Sequence, residues 1–180
     1  GLLAAAQGLS READVRHLAG LRMGVRTDRA GVRMNDYHTA LGVVSSEGKP
    51  SRDAVVSNRA YLADAAFLVG LEGEDRDLLL AIQGALLDPH WPVALGRRAF
   101  PPSVPVAFSA ADEPQAIVEE PLEEALVSCP PIVSTSEETR VLYHVEDPYG
   151  EQEWFDQPAD NFLRRTFLPR RVRVREALWG

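Results

Sequence analysis

Two stretches of this chain carry side chains suited to phosphate chemistry. The first is Pro89-His90-Trp91-Pro92-Val93-Ala94-Leu95-Gly96-Arg97-Arg98-Ala99-Phe100-Pro101-Pro102. Prolines stiffen both ends, Gly96 lets backbone approach a ligand closely, and two arginines follow at once. A guanidinium fork matches phosphate oxygens in pairs, so Arg97 and Arg98 suit an anionic backbone. The second is Tyr37-His38 with Arg59. Metal-free cleavage of a phosphodiester needs a base, an acid and a cation, and these three side chains supply the types. Adjacent residues on a strand point to opposite faces, however, which weighs against Tyr37 and His38 sharing one centre. His17, His90 and His144 fall in a helix, a loop and a strand without metal-ligand spacing, and Cys129 is the lone cysteine. No metal centre, cofactor or disulfide is expected.

Each candidate also has a structural reading. Arg97 and Arg98 would be a solvated pair ending a loop, and Arg59 would bridge to Asp36 or Asp64. Tyr37 would pack its ring in the core, and His38 would bond a backbone carbonyl. For Trp91 core packing is the favoured reading. Glu119-Glu120 and Glu123-Glu124 read as solvating charge on a helix surface.

The elements that position these residues are organised around Gly31 to Tyr61. Val32 and Met34 alternate with Arg33 and Asn35, the period of a strand with one buried face, and the strand delivers Tyr37 and His38 to its far end. Glycine, serine and proline then break the pattern until a second extended run, Tyr61 to Leu71, begins after Arg59. An excursion of this length without its own apolar core reads as an arm, residues 39–58, reaching away from the body. Upstream, Gly1 to Leu9 reads as the end of a helix stopped by Gly8, Ser10 as the cap of a short helix Arg11 to Ala19, and Leu21 to Arg26 as a strand turning at Asp28 to Gly31. Downstream, Asp75 and Asp77 open a helix Arg76 to Leu87, with Leu78, Leu79, Ile82 and Leu86 on one face, ended by Asp88-Pro89. Val104 to Phe108 returns as a strand. Asp112 to Leu126 reads as a helix, Arg140 to Glu146 as a strand, Asp147 to Asn161 as an acidic loop, and Arg171 to Arg175 as a strand with arginines on one face.

The 180 residues suffice for one sizeable domain, and no run is long and apolar enough for a bilayer span. A soluble, cytoplasmic protein is expected. The net charge of -8 is segregated: residues 1–60 carry +3, 61–109 carry -3, 110–160 carry -13 and 161–180 carry +5. A basic and an acidic surface therefore coexist on one molecule. Eighteen of the nineteen basic residues are arginine, a bias that phosphate recognition and a GC-rich genome would both produce. Arg164, Arg165, Arg170, Arg171, Arg173 and Arg175 either extend an anion-binding groove or pair with the acidic 110–160 segment.

Helix, strand, strand, helix, strand in this order is an α+β ferredoxin-like or RRM-like sandwich lacking its first strand. Residues 1–109 form that domain and 110–180 a small C-terminal appendage. Gly1-Leu2-Leu3-Ala4-Ala5-Ala6, Asp36-Tyr37-His38-Thr39-Ala40-Leu41-Gly42, Arg59-Ala60-Tyr61-Leu62-Ala63-Asp64-Ala65-Ala66-Phe67, and Leu95-Gly96-Arg97-Arg98 with Pro101 resemble, in order and spacing, the Cas-five proteins of type I-E CRISPR systems. Beyond Ala110 the likeness is limited to Phe167-Leu168-Pro169-Arg170-Arg171-Val172. Members begin with a strand and a Pro-Thr-Lys-Ser-Gly-like segment, so the resemblance implies residues before Gly1. It also implies a RAMP-type sandwich with a protruding thumb, here 39–58. The implied role is that of a non-catalytic subunit of Cascade, the RNA-guided surveillance complex of antiviral defence.

On that reading the chain holds the 5′ handle of crRNA through Tyr37, His38, Arg59, Gly96, Arg97 and Arg98. Its neighbours are a backbone subunit and the large subunit that reads the PAM, with target DNA met only indirectly. The alternative, from type I-C relatives, is a metal-independent endoribonuclease that processes precursor crRNA.

Overall fold

The computed structural model describes residues 1–50, 53–109, 111–112, 115–133 and 139–179. Residues 51–52 of the expected arm and 113–114 of the expected helix Asp112 to Leu126 lie outside the described residues.

The first helix, α1 (Leu2–Ala6), is short, and Gly8 beyond it takes φ +73°. A single 3-10 turn, Arg16–Leu18, stands where a helix from Arg11 is expected. Ser10 makes no side-chain cap. Instead Asp14 accepts from the Arg16 backbone N–H at 2.8 Å and from its guanidinium, which drops the Asp14 carboxyl to about 2, and this local closure ends any helix before it propagates. Strand β1 (Arg22–Arg29) then pairs antiparallel with β4 (Ala66–Glu72), and β2 (Val32–Ala40) with β3 (Val55–Ala63).

These four strands make one ribbon bent in the middle. Arg29 pairs with Ala66 below the bend and Val32 with Ala63 above it, while Gly31 (φ +75°) and Asp64 (φ +57°) turn the two chains at the same level. A Cβ on Gly31 would fall 2.6 Å from the Ala63 carbonyl oxygen, so only glycine fits there. Arg29 clasps the bend: its Nε donates to the Asp64 carbonyl at 2.7 Å and its Nη2 to the Asp64 carboxylate at 2.6 Å. The expected run Tyr61 to Leu71 is therefore two strands broken at Asp64 and Ala65. Above the bend β2 and β3 form a sheet of their own, so the projecting hairpin starts earlier in the chain and ends later than the expected 39–58.

Below the bend the described residues form a five-stranded antiparallel sheet in the order β4, β1, β5 (Thr139–Glu146), β7 (Phe167–Trp179), β6 (Gln152–Pro158). The sheet runs across residue 109, because β5 pairs directly with β1, Val25 opposite His144. Val104 to Phe108 forms no strand: Pro101, Pro102 and Pro105 lack N–H donors, and β5 occupies the place beside β1. The segment expected as an acidic loop contains β6, which places Trp154 opposite Arg170.

Helix α2 (Arg76–Leu87) keeps its expected bounds, capped by Asp75, whose carboxylate accepts from the Leu78 N–H at 3.0 Å. In place of Asp112 to Leu126, only α3 (Leu122–Ser128) is helical among the described residues of that stretch. Leu122 and Leu126 of α3 pack on Leu68 and Val145 as the central core. Gly24 and Gly70, facing each other across β1 and β4, leave room for them. Arg26, fully buried on this face, pairs with Asp28 at 2.6 Å and donates to the carbonyls of Leu126, Cys129 and Pro130. Asp28 in turn accepts from the Ile132 N–H at 2.8 Å. One ion pair thus fastens α3 and the chain after it to the sheet.

The acidic residues around α3 are not merely solvating. Glu123 binds Arg22, Glu119 binds Arg76 at 3.2 Å, and Ser128 donates to Glu120 at 3.0 Å. The guanidinium of Arg22 holds the Glu123 carboxyl below its usual range.

Candidate nucleic-acid interface

Strand alternation divides the hairpin into two faces. Met34, Asp36 and His38 share one with Tyr61, Arg59 and Ser57, their direct partners across the ladder. Arg33, Asn35 and Tyr37 share the other with Leu62, Ala60 and Asn58. His38 and Arg59 thus lie on one half-buried face, while Tyr37 stands on the opposite one, 68% exposed, and its ring is not in the core. The expected burial of Val32 and Met34 fails, Val32 being 62% exposed, because a hairpin raised off the main sheet has no core beneath its apolar side.

Arg59 makes neither expected ion pair. Asp64 is taken by Arg29, and Asp36, directly across the ladder, leaves the guanidinium free to donate to Ser57 Oγ at 3.1 Å.

The loop after α2 is anchored at both ends. At its start His90 N–H donates to the Ala6 carbonyl at 2.9 Å and Trp91 N–H to that of Ala5 at 3.2 Å, docking the loop on α1. Trp91 itself is half exposed, its ring edge-on to His90 at 4.9 Å, so core packing is not its role. At its end the loop closes on itself, Leu95 N–H reaching the Phe100 carbonyl at 3.4 Å and Phe100 N–H the Arg97 carbonyl at 3.0 Å. Gly96 sits in this closure with φ +93°, and a Cβ there would meet nothing within 4 Å. Its requirement is the left-handed backbone rather than a crowding neighbour in the chain.

Phe100 then stacks on Tyr61, centroids 4.4 Å apart and planes 14° inclined. Tyr61 shares its face with Arg59, so the stack joins the Gly96-Arg97-Arg98 loop to the hairpin face that carries Arg59 and His38. Sequence reasoning named the cations but missed this aromatic joint; the signal was an aromatic two residues after each basic site. Among the described residues the side chains of Arg97 and Arg98 have no hydrogen-bond or ion-pair partner, and no group of His, Cys, Asp and Glu is placed to hold a metal ion. Nor is any helix long and apolar enough to cross a membrane.

Antiparallel sheet, flanking helices and a bent two-stranded extension define a mixed α/β protein consistent with a RAMP-like fold. Residues 1–177 match the family model described as "CRISPR-associated protein (Cas_Cas5)", and the chain belongs to this Cas-five family. It is similar to a solved structure titled "Crystal structure of Cas protein", with 40% identity and a TM-score of 0.76 over 100% of this chain and 77% of that one. It is also similar to a chain titled "CRISPR RNA-guided surveillance complex", with 29% identity and a TM-score of 0.78 over 99% of this chain and 76% of that one. Comparison with curated proteins gave no match.

Proposed function

We propose that this chain is a subunit of a Cascade-type surveillance complex of type I-E, where it grips the 5′ handle of crRNA without cutting it. The observation that carries the reading is the Tyr61–Phe100 stack, which joins the loop bearing Arg97 and Arg98 to the hairpin face that carries Arg59 at mid-ladder. Arg97, Arg98 and Arg59 take the handle phosphates, and Gly96 turns the loop that presents them. The hairpin is the thumb that bends RNA where handle meets spacer, with Tyr37 exposed to stack on an unpaired base and His38 at its inner face.

The type I-E assignment and the backbone and PAM-reading neighbours rest on the sequence blocks, and the cytoplasmic setting on the lone cysteine. Likeness to a chain of an RNA-guided surveillance complex supports membership in such an assembly. Against the endoribonuclease alternative as built from these three residues stands the ladder itself: Tyr37 lies on the face opposite His38 and Arg59.

Binding of labelled handle RNA by the assembled complex tests the site. Arg97→Ala with Arg98→Ala lowers the slope of log affinity against log salt by about 1.4, at roughly 0.7 for each lost single-strand contact. Unchanged affinity and slope reject the site. Specific cleavage of repeat RNA in chelator, abolished by His38→Ala, would replace the proposed role with the nuclease.

A further inference from the structure

Most arginines of the C-terminal strands are neutralised locally. Arg170 grips Asp156 through two contacts of 2.5 and 2.6 Å, Arg173 binds Asp147 at 2.7 Å, and Arg140 faces Glu176 at 3.8 Å. Arg164 and Arg165, in the loop between β6 and β7, are exposed and among the described residues have no side-chain partner.

That loop is built rather than loose. Ala159 N–H donates to the Thr166 carbonyl at 3.0 Å across its base, and Asn161 Oδ1 accepts from the N–H groups of Leu163 and Arg164 at 3.0 and 3.5 Å. Arg165 is held at φ +52°, a backbone region that favours glycine. The loop is also pinned to the segment after α1, Phe162 N–H donating to the Arg11 carbonyl at 3.0 Å and Val15 N–H to the Asp160 carbonyl at 2.8 Å. Arg11 is exposed and likewise without an ion pair, although Glu12 adjoins it in the chain and Asp160 belongs to the loop pinned against it, while Asp14 is taken by Arg16 at 2.6 Å. Two loops distant in sequence are therefore fastened together where each contributes uncompensated guanidinium groups.

We propose that Arg11, Arg164 and Arg165 form a second anion-binding surface, separate from the Arg59 and Arg97-Arg98 interface, which holds the sugar-phosphate backbone of a nucleic acid. Phosphates repeat along a strand, and two consecutive arginines with a third across a loop junction meet such a row as forked donors. On a chain of net charge -8, leaving these three unpaired costs electrostatic complementarity that a polyanion restores. The proposal rests on the preceding function only in choosing nucleic acid as the polyanion. An RNA strand and a DNA duplex offer the same backbone chemistry, and the experiment separates them.

Full-length chain is titrated over a salt series with labelled single-stranded RNA of arbitrary sequence and with a DNA duplex. Arg164→Gln with Arg165→Gln lowers the slope by about 1.4 if the surface takes the single strand and about 1.8 if it takes the duplex. Arg164→Lys with Arg165→Lys keeps the charge and keeps most of the slope. No intramolecular ion pair is lost, so the thermal midpoint stays within a degree or two of wild type. Unchanged affinity and slope on both probes overturn the proposal, and so does an effect confined to assembly with a protein partner. The Arg97→Ala, Arg98→Ala chain measured in parallel separates the two sites: a normal slope there with a lowered slope here rejects the first interface and upholds the second.

Discussion

Tyr61 and Phe100 stack nearly parallel, centroids 4.4 Å apart, joining residues that the chain separates by a strand, a helix and a loop. The contact lets a proline-braced loop and a projecting hairpin behave as one rigid surface. Phe100→Ala removes an aromatic pair worth about 0.5–1.5 kcal/mol beyond its burial. Handle affinity falls several-fold while the salt slope stays near wild type, because every guanidinium is still present. Phe100→Tyr restores affinity. A loss of slope in Phe100→Ala would show that the ring contributes more than position.

The Arg26–Asp28 pair is the fastening of the other face, both side chains sealed from solvent. Asp28→Ala leaves the buried guanidinium with carbonyl partners and no counter-charge, and lowers unfolding free energy by about 3–5 kcal/mol in urea titration. Replacing both residues, Arg26→Met with Asp28→Leu, loses markedly less than the single change. The α3 segment detaches first, seen as faster amide exchange at Leu126 and Ile132, whose backbone groups the pair holds.

Gly70 lies under α3, where an added Cβ would fall 2.6 Å from Leu122 Cδ1. Leu122 is itself buried and has little room to retreat. Gly70→Ala therefore costs about 1–3 kcal/mol by overpacking, and combining it with Leu122→Val recovers part of that loss. A purely additive double variant would rule out the clash as the cause.

Asp156 is held below the usual carboxylate range by the side-chain hydrogen bonds from Arg170. A depressed carboxyl adds stability that is full above its unfolded value of about 3.9 and is lost as pH falls through the lower folded value. The urea midpoint contribution of this pair is thus constant from neutral pH to about 5 and disappears in the acid limb. Asp156→Asn shows its deficit at pH 7 and converges with wild type once pH has fallen below the lowered folded value. With Asp156 half exposed, that deficit stays under about 1 kcal/mol.

Local chemistry alone determined several parts of this protein. Helix α2 was legible to the residue because an Asp cap, a 3.6-residue apolar stripe and an Asp-Pro stop are all written within a few positions. The strands β1 and β5 were legible from local alternation in the same way. Tertiary structure decided the rest. An aromatic stands two residues after each basic site, but chain order does not pair Tyr61 with Phe100. The short reach of the alternation in β2 does not reveal that its apolar side faces no core, because burial depends on what stands opposite. Only pairing across the fold distinguished the arginines consumed by Asp28, Asp64 and Asp156 from those left open at 97–98 and 164–165. A guanidinium's availability is a property of its neighbours in space, and chain order records those neighbours only when they are a turn or a hairpin away.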